Sequence, residues 1–161
     1  MATITQKITP CLWLDDNTTE EAVAFYTSVF PNSRILSRSY YSENMHRPAG
    51  TILTVEFELA GQRFTALNGG PEFTFNEAIS LMVHCETQAE IDTYWEKLTA
   101  KGGKPVQCGW LKDRFGVSWQ IVPAVIADLI RDPKKSPRVM QAVMRMVKLD
   151  LAELLAAAEG R

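Results

Sequence analysis

The feature that most constrains this chain is one helix design that occurs twice, 69 residues apart. A capping-box motif, a threonine followed three residues later by a glutamate, begins at Thr18 and again at Thr87. In such a motif the hydroxyl and the carboxylate accept hydrogen bonds from amides that the first helical turn leaves unpaired. Each motif opens an apolar stripe at i, i+3, i+4 and i+7: Ala22, Phe25, Tyr26 and Val29, then Ile91, Tyr94, Trp95 and Leu98. We therefore predict two amphipathic helices in two copies of one unit.

The same spacing extends to the strands around each helix. It pairs Leu12 with Leu81 and Leu14 with Val83, inside the short apolar runs Cys11–Leu14 and 80–83. Pro31 ends the first helix and Gly102-Gly103 ends the second. Further predicted strands are 34–41, 51–59 and 62–68 in the first copy, and 104–107, 110–113 and 117–122 in the second. The predicted order is βαβββ followed by βαβββ, an α+β fold.

Helices are predicted to complete the chain. Pro123 suits the first position of one helix, and Ser136-Pro137 opens a single long helix whose apolar residues run to Ala158. We expect one domain over residues 1–161, with a first module at 1–70, a second module at 71–123 and a C-terminal helical extension at 124–161.

Composition excludes several classes of protein. The formal net charge is −2, so the basic bias of a nucleic-acid-binding domain is missing. No run of about 18 apolar residues predicts a membrane span, and the first residues lack a signal-peptide pattern. The three cysteines contain no Cys-x-x-Cys pair, so we expect reduced thiols buried as small hydrophobes. These observations favour a cytoplasmic protein that binds neither nucleic acid nor membrane.

Several stretches of the sequence carry a family resemblance. They are Glu21–Ser33, Leu67–Pro71, Phe75–Leu81, Gln107–Asp113 running into Phe115–Pro123, and Val139–Met146. With the βαβββ repeat, they resemble the PhnB-like branch of the vicinal-oxygen-chelate superfamily, which includes glyoxalase I and bleomycin-resistance proteins. The resemblance implies tandem βαβββ modules that form a glyoxalase/bleomycin-resistance-type cleft, with C-terminal helices added.

A 3-demethylubiquinone-9 3-methyltransferase label is common in this branch. A nucleotide-fold methyltransferase needs a glycine-rich loop that lets the backbone approach its cofactor. No Gly-x-Gly occurs in the 161 residues. We therefore expect no S-adenosylmethionine binding and no other cofactor.

The resemblance also implies four positions where metal-dependent relatives place His, Gln or Glu ligands. In this sequence they fall on Cys11, Thr65, Ser80 and Gln120. A hydroxyl or a neutral amide is a weak ligand, and one thiol without soft partners does not compensate. We therefore expect no metal site.

Two side chains are candidate proton-transfer groups. Glu56, with Glu58, faces the cleft if the apolar residues that alternate with them pack under the first helix; on an exposed edge strand both are ordinary solvated residues. His84 shares a strand face with Ser80, but about 13 Å separates residues four apart on a strand, too far for a Ser–His pair. His84 is alternatively a structural or rim histidine, and His46 lies in a polar loop.

Six residues are predicted to line the pocket: Cys11, Trp13, Thr65, Ser80, Met82 and Gln120. An apolar lining with few neutral polar groups is typical of small-ligand sites. It suits a flat or amphipathic molecule with a cationic group near Glu56, and an anionic ligand only if Arg63 reaches inward. Alternatively, bulky side chains fill the cleft and leave no ligand site.

The sequence predicts a metal-free small-molecule-binding protein whose ligand is unknown. The alternative is a cofactor-free enzyme that uses Glu56 or His84; a methyltransferase and a DNA-associated protein are less favoured. The apolar residues Met140, Val143, Met144, Val147 and Leu151 of the last predicted helix favour a homodimer to which that segment contributes.

Overall fold

The computed structural model describes residues 4–15 and 18–161. The chain forms two compact units, Met1–Thr74 and Phe75–Arg161. The C-terminal helices belong to the second unit. The predicted single-domain organisation over 1–161 stays a prediction.

The first unit is a βαβββ module. Its elements are β1 (Cys11–Leu14), α1 (Thr19–Val29), β2 (Arg34–Tyr40), β3 (Ile52–Leu59) and β4 (Gln62–Asn68). The sheet order is β1-β4-β3-β2, with β1 parallel to β4 and the other neighbours antiparallel. One face of this sheet carries α1, as the periodicity of both elements predicts.

The core of the first module lies between α1 and this sheet. Tyr26 on α1 stacks on Phe57 of β3 with ring centroids 6.4 Å apart, and Phe57 stacks in turn on Phe64 of β4 at 5.5 Å. Val55 and Leu59, which alternate with exposed or half-buried glutamates, are also buried. Burial of these apolar side chains is the main source of stability for the module.

The second unit repeats the order. Its elements are β5 (Leu81–Cys85), α2 (Gln88–Thr99) with a 3₁₀ turn (Ala100–Gly102), β6 (Lys104–Pro105), β7 (Trp110–Lys112) and β8 (Ser118–Pro123). The sheet order β5-β8-β7-β6 matches that of the first module strand for strand. The predicted tandem βαβββ, α+β fold is confirmed.

The two capping boxes differ in detail. Thr87 accepts a hydrogen bond from the Glu90 amide at 3.2 Å, and the Glu90 carboxylate accepts from the Glu86 amide at 2.6 Å. The prediction for Thr18 is wrong, because its hydroxyl donates to the Asp15 carbonyl at 2.8 Å and caps no helical amide. Both helices nevertheless begin at the residue after their threonine.

The C-terminal helices differ from the prediction in two ways. Pro123 is the last residue of β8 and pairs with Cys85, so the first of these helices, α3 (Ile126–Arg131), begins later. The single long helix is also wrong, because the chain forms α4 (Ser136–Val143) and a separate α5 (Leu151–Glu159). The buried residues of all three helices form a core of their own against Val122.

Hydrogen bonds from the second module explain the break between α4 and α5. The amides of Cys108 and Gly109 donate to the carbonyls of Met146 and Val147, both at 2.8 Å. The Gln88 side chain donates to the Leu149 carbonyl at 3.2 Å and accepts from the Leu151 amide at 2.8 Å. These bonds use backbone groups that a continuous helix would keep for itself.

The ends of α5 are capped by side chains. Asp150 accepts from the Glu153 amide at 2.9 Å, and Arg138 donates to the carbonyls of Ala157 and Ala158 at 3.0 and 2.8 Å. A cation at a helix C-terminus also interacts favourably with the helix dipole. Within the described part of the chain, no helix is both long and apolar enough to cross a membrane.

Candidate functional site

The face of the first sheet opposite α1 carries a row of polar side chains. Cys11 on β1 lies directly opposite Thr65 on β4, and Thr65 lies opposite Glu56 on β3. Because directly opposed residues point to the same side of a sheet, the three side chains are neighbours on this open face. Strand alternation thus places Glu56 on the predicted face; its catalytic role stays a prediction.

A cavity of about 220 Å³ lies against this row. Its lining includes Glu56, Arg63 and Thr65, the apolar residues Leu36 and Phe64, and parts of the N-terminal segment from Ile4 to Thr9. The Ser37 hydroxyl donates to the Glu56 carboxylate at 3.0 Å, and Glu56 remains exposed. The described lining therefore offers one carboxylate, one guanidinium, the side-chain amide of Gln6 and the hydroxyls of three threonines.

The N-terminal segment is held over this cavity by Gln6. The Gln6 side-chain amide donates to the Arg63 carbonyl at 3.0 Å and accepts from the Arg63 amide at 3.2 Å. Gln6 thus bonds the backbone of β4 at Arg63, which precedes the residues of β4 that pair with β1. No pattern in the sequence marks this contact, since a lone glutamine in a polar segment has no distinctive signature.

Trp13 occupies a fixed position at the end of the first sheet. Its indole N–H donates to the Gly70 carbonyl at 2.9 Å, and its ring meets Phe73 edge-on with centroids 4.8 Å apart. A Cβ on Gly69 would lie 2.1 Å from Cε2 of the indole, so only glycine fits there. The indole lies outside the lining of the 220 Å³ cavity, and its predicted role in ligand binding stays a prediction.

The open face of the second sheet carries the other predicted residues. The Gln120 amide donates to the Ser80 hydroxyl at 2.8 Å. Met82 lies opposite Gln120, and both Met82 and His84 are exposed. Three of the predicted pocket residues therefore lie in each unit, and their grouping into one pocket stays a prediction.

The two modules differ in strand register at this point. Cys11 opposes Thr65, whereas continuing the β5–β8 register places Ser80 opposite Ser118, two residues before Gln120. The long side chain of Gln120 spans that offset to reach Ser80. Ser118, which is buried, also lies on this face and is not among the residues that the sequence predicted.

A charged pair also lies beside this face. Lys112 on β7 lies opposite Ser118 on β8. Its ammonium group pairs with the Glu77 carboxylate at 2.5 Å. The hydrogen bond from Lys112 lowers the pKa of the Glu77 carboxyl. Sequence reasoning missed both residues, although the alternation of β7 indicates the side on which Lys112 lies.

The hairpin that positions β8 is organised by one buried carboxylate. Asp113 accepts from the amides of Phe115 and Val117 at 2.8 and 3.0 Å, and from the indole N–H of Trp119 at 2.8 Å. Trp119 is buried on the α2 side of the sheet, as its parity predicts. Asp113 therefore has a structural role, because these three hydrogen bonds hold the hairpin together.

The comparisons with known proteins cover both modules. The family model described as 3-demethylubiquinone-9 3-methyltransferase matches residues 6–122. The PhnB protein of Bacillus cereus is 41% identical, and the match covers 74% of this chain and 100% of that one, with a TM-score of 0.67. The chain belongs to this family. In this PhnB-like chain, the helices after β8 lie outside the family model.

More distant solved structures share the fold of the PhnB-like family. A Pseudomonas aeruginosa protein is 18% identical at a TM-score of 0.60, over 74% of this chain and 98% of that one. The fosfomycin resistance protein FosX of Listeria monocytogenes, complexed with Mn(II) and sulfate, is 15% identical at a TM-score of 0.54, over 80% and 98%. No curated protein matches the chain. The vicinal-oxygen-chelate fold is thereby confirmed.

The four implied ligand positions do not fit a tight divalent metal centre. Cys11, Thr65, Ser80 and Gln120 supply a thiol, two hydroxyls and an amide, with neither an imidazole nor a carboxylate. Among residues 4–15 and 18–161, no group of three or more His, Cys, Asp or Glu side chains is placed to hold a metal ion. The donor chemistry of this PhnB-like chain therefore disagrees with a metal-dependent mechanism.

The three cysteines lie in different environments. All are free; Cys85 is buried, Cys108 is half-buried and Cys11 is exposed, so the expectation of burial is wrong for Cys11. Its position on the open face explains the difference. Cys11 still loses enough solvent around its thiol that burial raises the pKa. Burial, with a smaller effect of Glu90, raises the pKa of Cys85 to about 11.

These environments predict selective thiol chemistry. With a dithiobis-nitrobenzoate reagent at pH 8, we expect Cys11 to react first in the native protein. Cys85 should react about two orders of magnitude more slowly than an ordinary thiol, because only its thiolate attacks. Cys11→Ser should remove the fast phase. Equal modification of Cys85 and Cys11 in the folded protein would contradict this assignment.

Proposed function

We propose that this PhnB-like protein is a metal-free, cytoplasmic small-molecule-binding protein. The observation that carries the proposal is the neutral donor set at the four positions where metal-dependent relatives bind their ion. Two of these side chains, Ser80 and Gln120, hydrogen-bond each other at 2.8 Å, which further supports a role without metal.

The 220 Å³ cavity on the first sheet supports a class of ligand. Ile4 and Leu36 offer apolar contact, whereas Glu56 and Arg63 bring opposite charges to the same lining. Six of the nine described lining residues are polar, and convergent polar groups of this kind orient a ligand in small-molecule sites. We infer a small amphipathic ligand with a cationic group for Glu56 and, since Arg63 lines the cavity, an anionic group as well.

The second candidate function is a cofactor-free enzyme that transfers a proton through Glu56. It is favoured by the position of Glu56 in the cavity lining beside Thr65, within reach of a bound molecule. His84 is exposed on the second sheet and is the weaker candidate. Turnover of the bound molecule, lost in Glu56→Gln with binding retained, distinguishes an enzyme from a binding protein.

Two other functions receive less support. The family description names a methyltransferase, but the chain contains no glycine-rich loop of the kind that binds S-adenosylmethionine in nucleotide folds. A net charge of −2 disfavours nucleic acid as a partner.

The metal-free proposal predicts the metal content of the protein. Protein purified from medium containing manganese, zinc and nickel should hold less than about 0.1 divalent ion per chain. Added Mn²⁺ should leave the thermal unfolding midpoint unchanged, because an ion that does not bind the folded state cannot stabilise it. One ion per chain that survives mild chelation would overturn the proposal.

The ligand site is tested with a fragment library of cationic, anionic and zwitterionic aromatics, screened by saturation-transfer NMR. We expect zwitterionic hits whose affinity falls about tenfold in Glu56→Gln or Arg63→Gln, since each variant removes one charge-assisted contact. Glu96→Gln is the matched control, because it makes the same charge change at an exposed carboxylate on α2, in the other unit and outside the cavity lining. Hits that bind all three variants equally would place the ligand elsewhere.

We also propose a homodimer to which the C-terminal extension contributes. Met140, Met144 and Val147 expose 37%, 67% and 43% of their surfaces, an apolar patch that the extension leaves uncovered. Val143 of the predicted stripe is buried in the extension's own core and is unavailable for that role.

Light scattering at micromolar concentration should give twice the 18.1 kDa chain mass. Met144→Glu should yield monomers with an unchanged circular dichroism spectrum, because a charge in an apolar interface carries a desolvation cost. Wild-type protein at the chain mass would end the proposal.

A further inference from the structure

A second cavity, of about 340 Å³, lies at one end of the first module. It is bounded by the start of α1, the end of β2, the start of β3 and the end of β4. Its lining includes Thr19, Glu20, Tyr40, Thr51, Ile52 and Asn68. None of these residues lines the cavity on the open face, so the two are separate places on the module.

Asn68, one of the lining residues, has an unused hydrogen-bond acceptor. The residue is 4% exposed, and its side-chain nitrogen donates to the Ile52 carbonyl at 2.9 Å. That bond fixes the orientation of the amide, because the opposite orientation would place two carbonyl oxygens together. The amide oxygen is left buried without a hydrogen-bond partner among residues 4–15 and 18–161.

Thr19 adds a second unused oxygen. It is the first residue of α1 and is 2% exposed. Its hydroxyl is likewise buried and finds no partner within the described residues. Buried polar atoms without a partner are uncommon in native proteins and commonly mark the place of a bound water, ion or ligand.

The charge around the cavity selects among ligands. Among the described lining residues, only Glu20 carries a formal charge, and exposed ion pairs such as the one it makes with Arg38 at 3.4 Å contribute little. Glu20 and Glu21 in the first turn offset the partial positive charge of the helix N-terminus. The cavity thus presents oxygen acceptors and a carboxylate, which disfavours an anion.

We propose that this cavity is a binding site for a small molecule with a primary ammonium group. Such a group carries three N–H donors and no acceptor, which matches the oxygens of Asn68, Thr19 and Glu20. The site is independent of the proposed function on the open face, and either can fail without the other.

The probe is ethylammonium chloride, titrated into the full ¹⁵N-labelled chain. Saturable shifts are expected at the backbone amides of Thr19 and Glu20 and at the side-chain amide of Asn68. Tetraethylammonium chloride has the same charge but no N–H, and sodium acetate is an anion; neither should produce these shifts at equal ionic strength. Equal responses to both ammonium salts, or no saturable response because water alone meets the oxygens, would overturn the proposal.

Variants separate binding from folding. Thr19→Val keeps the shape and removes only the oxygen, so affinity for ethylammonium should fall about tenfold. Since this hydroxyl finds no hydrogen-bond partner among residues 4–15 and 18–161, the variant should unfold at the same or a higher temperature than wild type. Glu20→Gln should also weaken binding, whereas Glu21→Gln, which makes the same charge change outside the lining, should not. Wild-type affinity in Thr19→Val would contradict the assignment.

Discussion

Replacing Asp113 with alanine is expected to lower the free energy of unfolding of the second module by about 3 kcal/mol or more. The carboxylate accepts from the amides of Phe115 and Val117 and from the indole of Trp119, all at 3.0 Å or less. Alanine leaves these donors without their acceptor in a buried hairpin, and each such loss costs about 1–3 kcal/mol. Asp113→Asn should cost less, because one amide oxygen remains while its NH₂ group faces a donor.

Urea unfolding, followed by circular dichroism and tryptophan fluorescence, measures this effect. Asp128→Ala is the control, since it removes an exposed ion pair with Arg131 and should change stability by less than about 1 kcal/mol. If Asp113→Ala costs no more than this control, Asp113 does not organise the hairpin. The hairpin positions Gln120, so the Gln120–Ser80 hydrogen bond should also weaken in the Asp113 variants.

Replacing Gly69 with alanine is expected to cost about 2–3 kcal/mol and to displace the indole of Trp13. The added Cβ would lie 2.1 Å from Cε2 of the indole, and the Gly69 amide is bonded to the Leu14 carbonyl at 3.0 Å. Because the backbone is tied on this side, the ring must move. It then loses its bond to Gly70 and its edge contact with Phe73.

A double-mutant cycle with Trp13→Leu tests this explanation. In the Trp13→Leu background no indole meets the new methyl group, so Gly69→Ala should cost at least about 1 kcal/mol less than in wild type. A red shift in tryptophan emission should accompany Gly69→Ala alone. Additive costs would mean that the glycine is needed for another reason.

The fold was largely predictable because both modules obey local periodicities. Alternation in β3 and the stripe of α1 each indicate a buried face, and Phe57 and Tyr26 indeed stack on each other. The break between α4 and α5 was not predictable, because it depends on amides of Cys108 and Gly109 that are distant in sequence. Periodicity reports which residues are apolar, whereas this break is made by backbone groups.

The candidate site was predictable only in part. Strand parity places Cys11, Thr65 and Glu56 on one face, and the register confirms it. The two-residue offset between Ser80 and Gln120 was missed, because the sequence does not show which residues of β5 and β8 lie opposite each other. The unpartnered oxygens of Asn68 and Thr19 have no sequence signature, since a missing partner is a property of three-dimensional packing.

The attachment of the C-terminal extension has an evolutionary consequence. The second module bonds the main-chain carbonyls of Met146, Val147 and Leu149, which every residue type has, and the Leu151 amide, which every type except proline has. Substitutions that keep apolar side chains at the buried Met146 and Leu149 leave these hydrogen bonds intact, whereas Gln88, whose side chain makes two of them, is constrained. Related chains should therefore keep a glutamine at this position wherever they carry such helices, even as the helices themselves diverge beyond recognition.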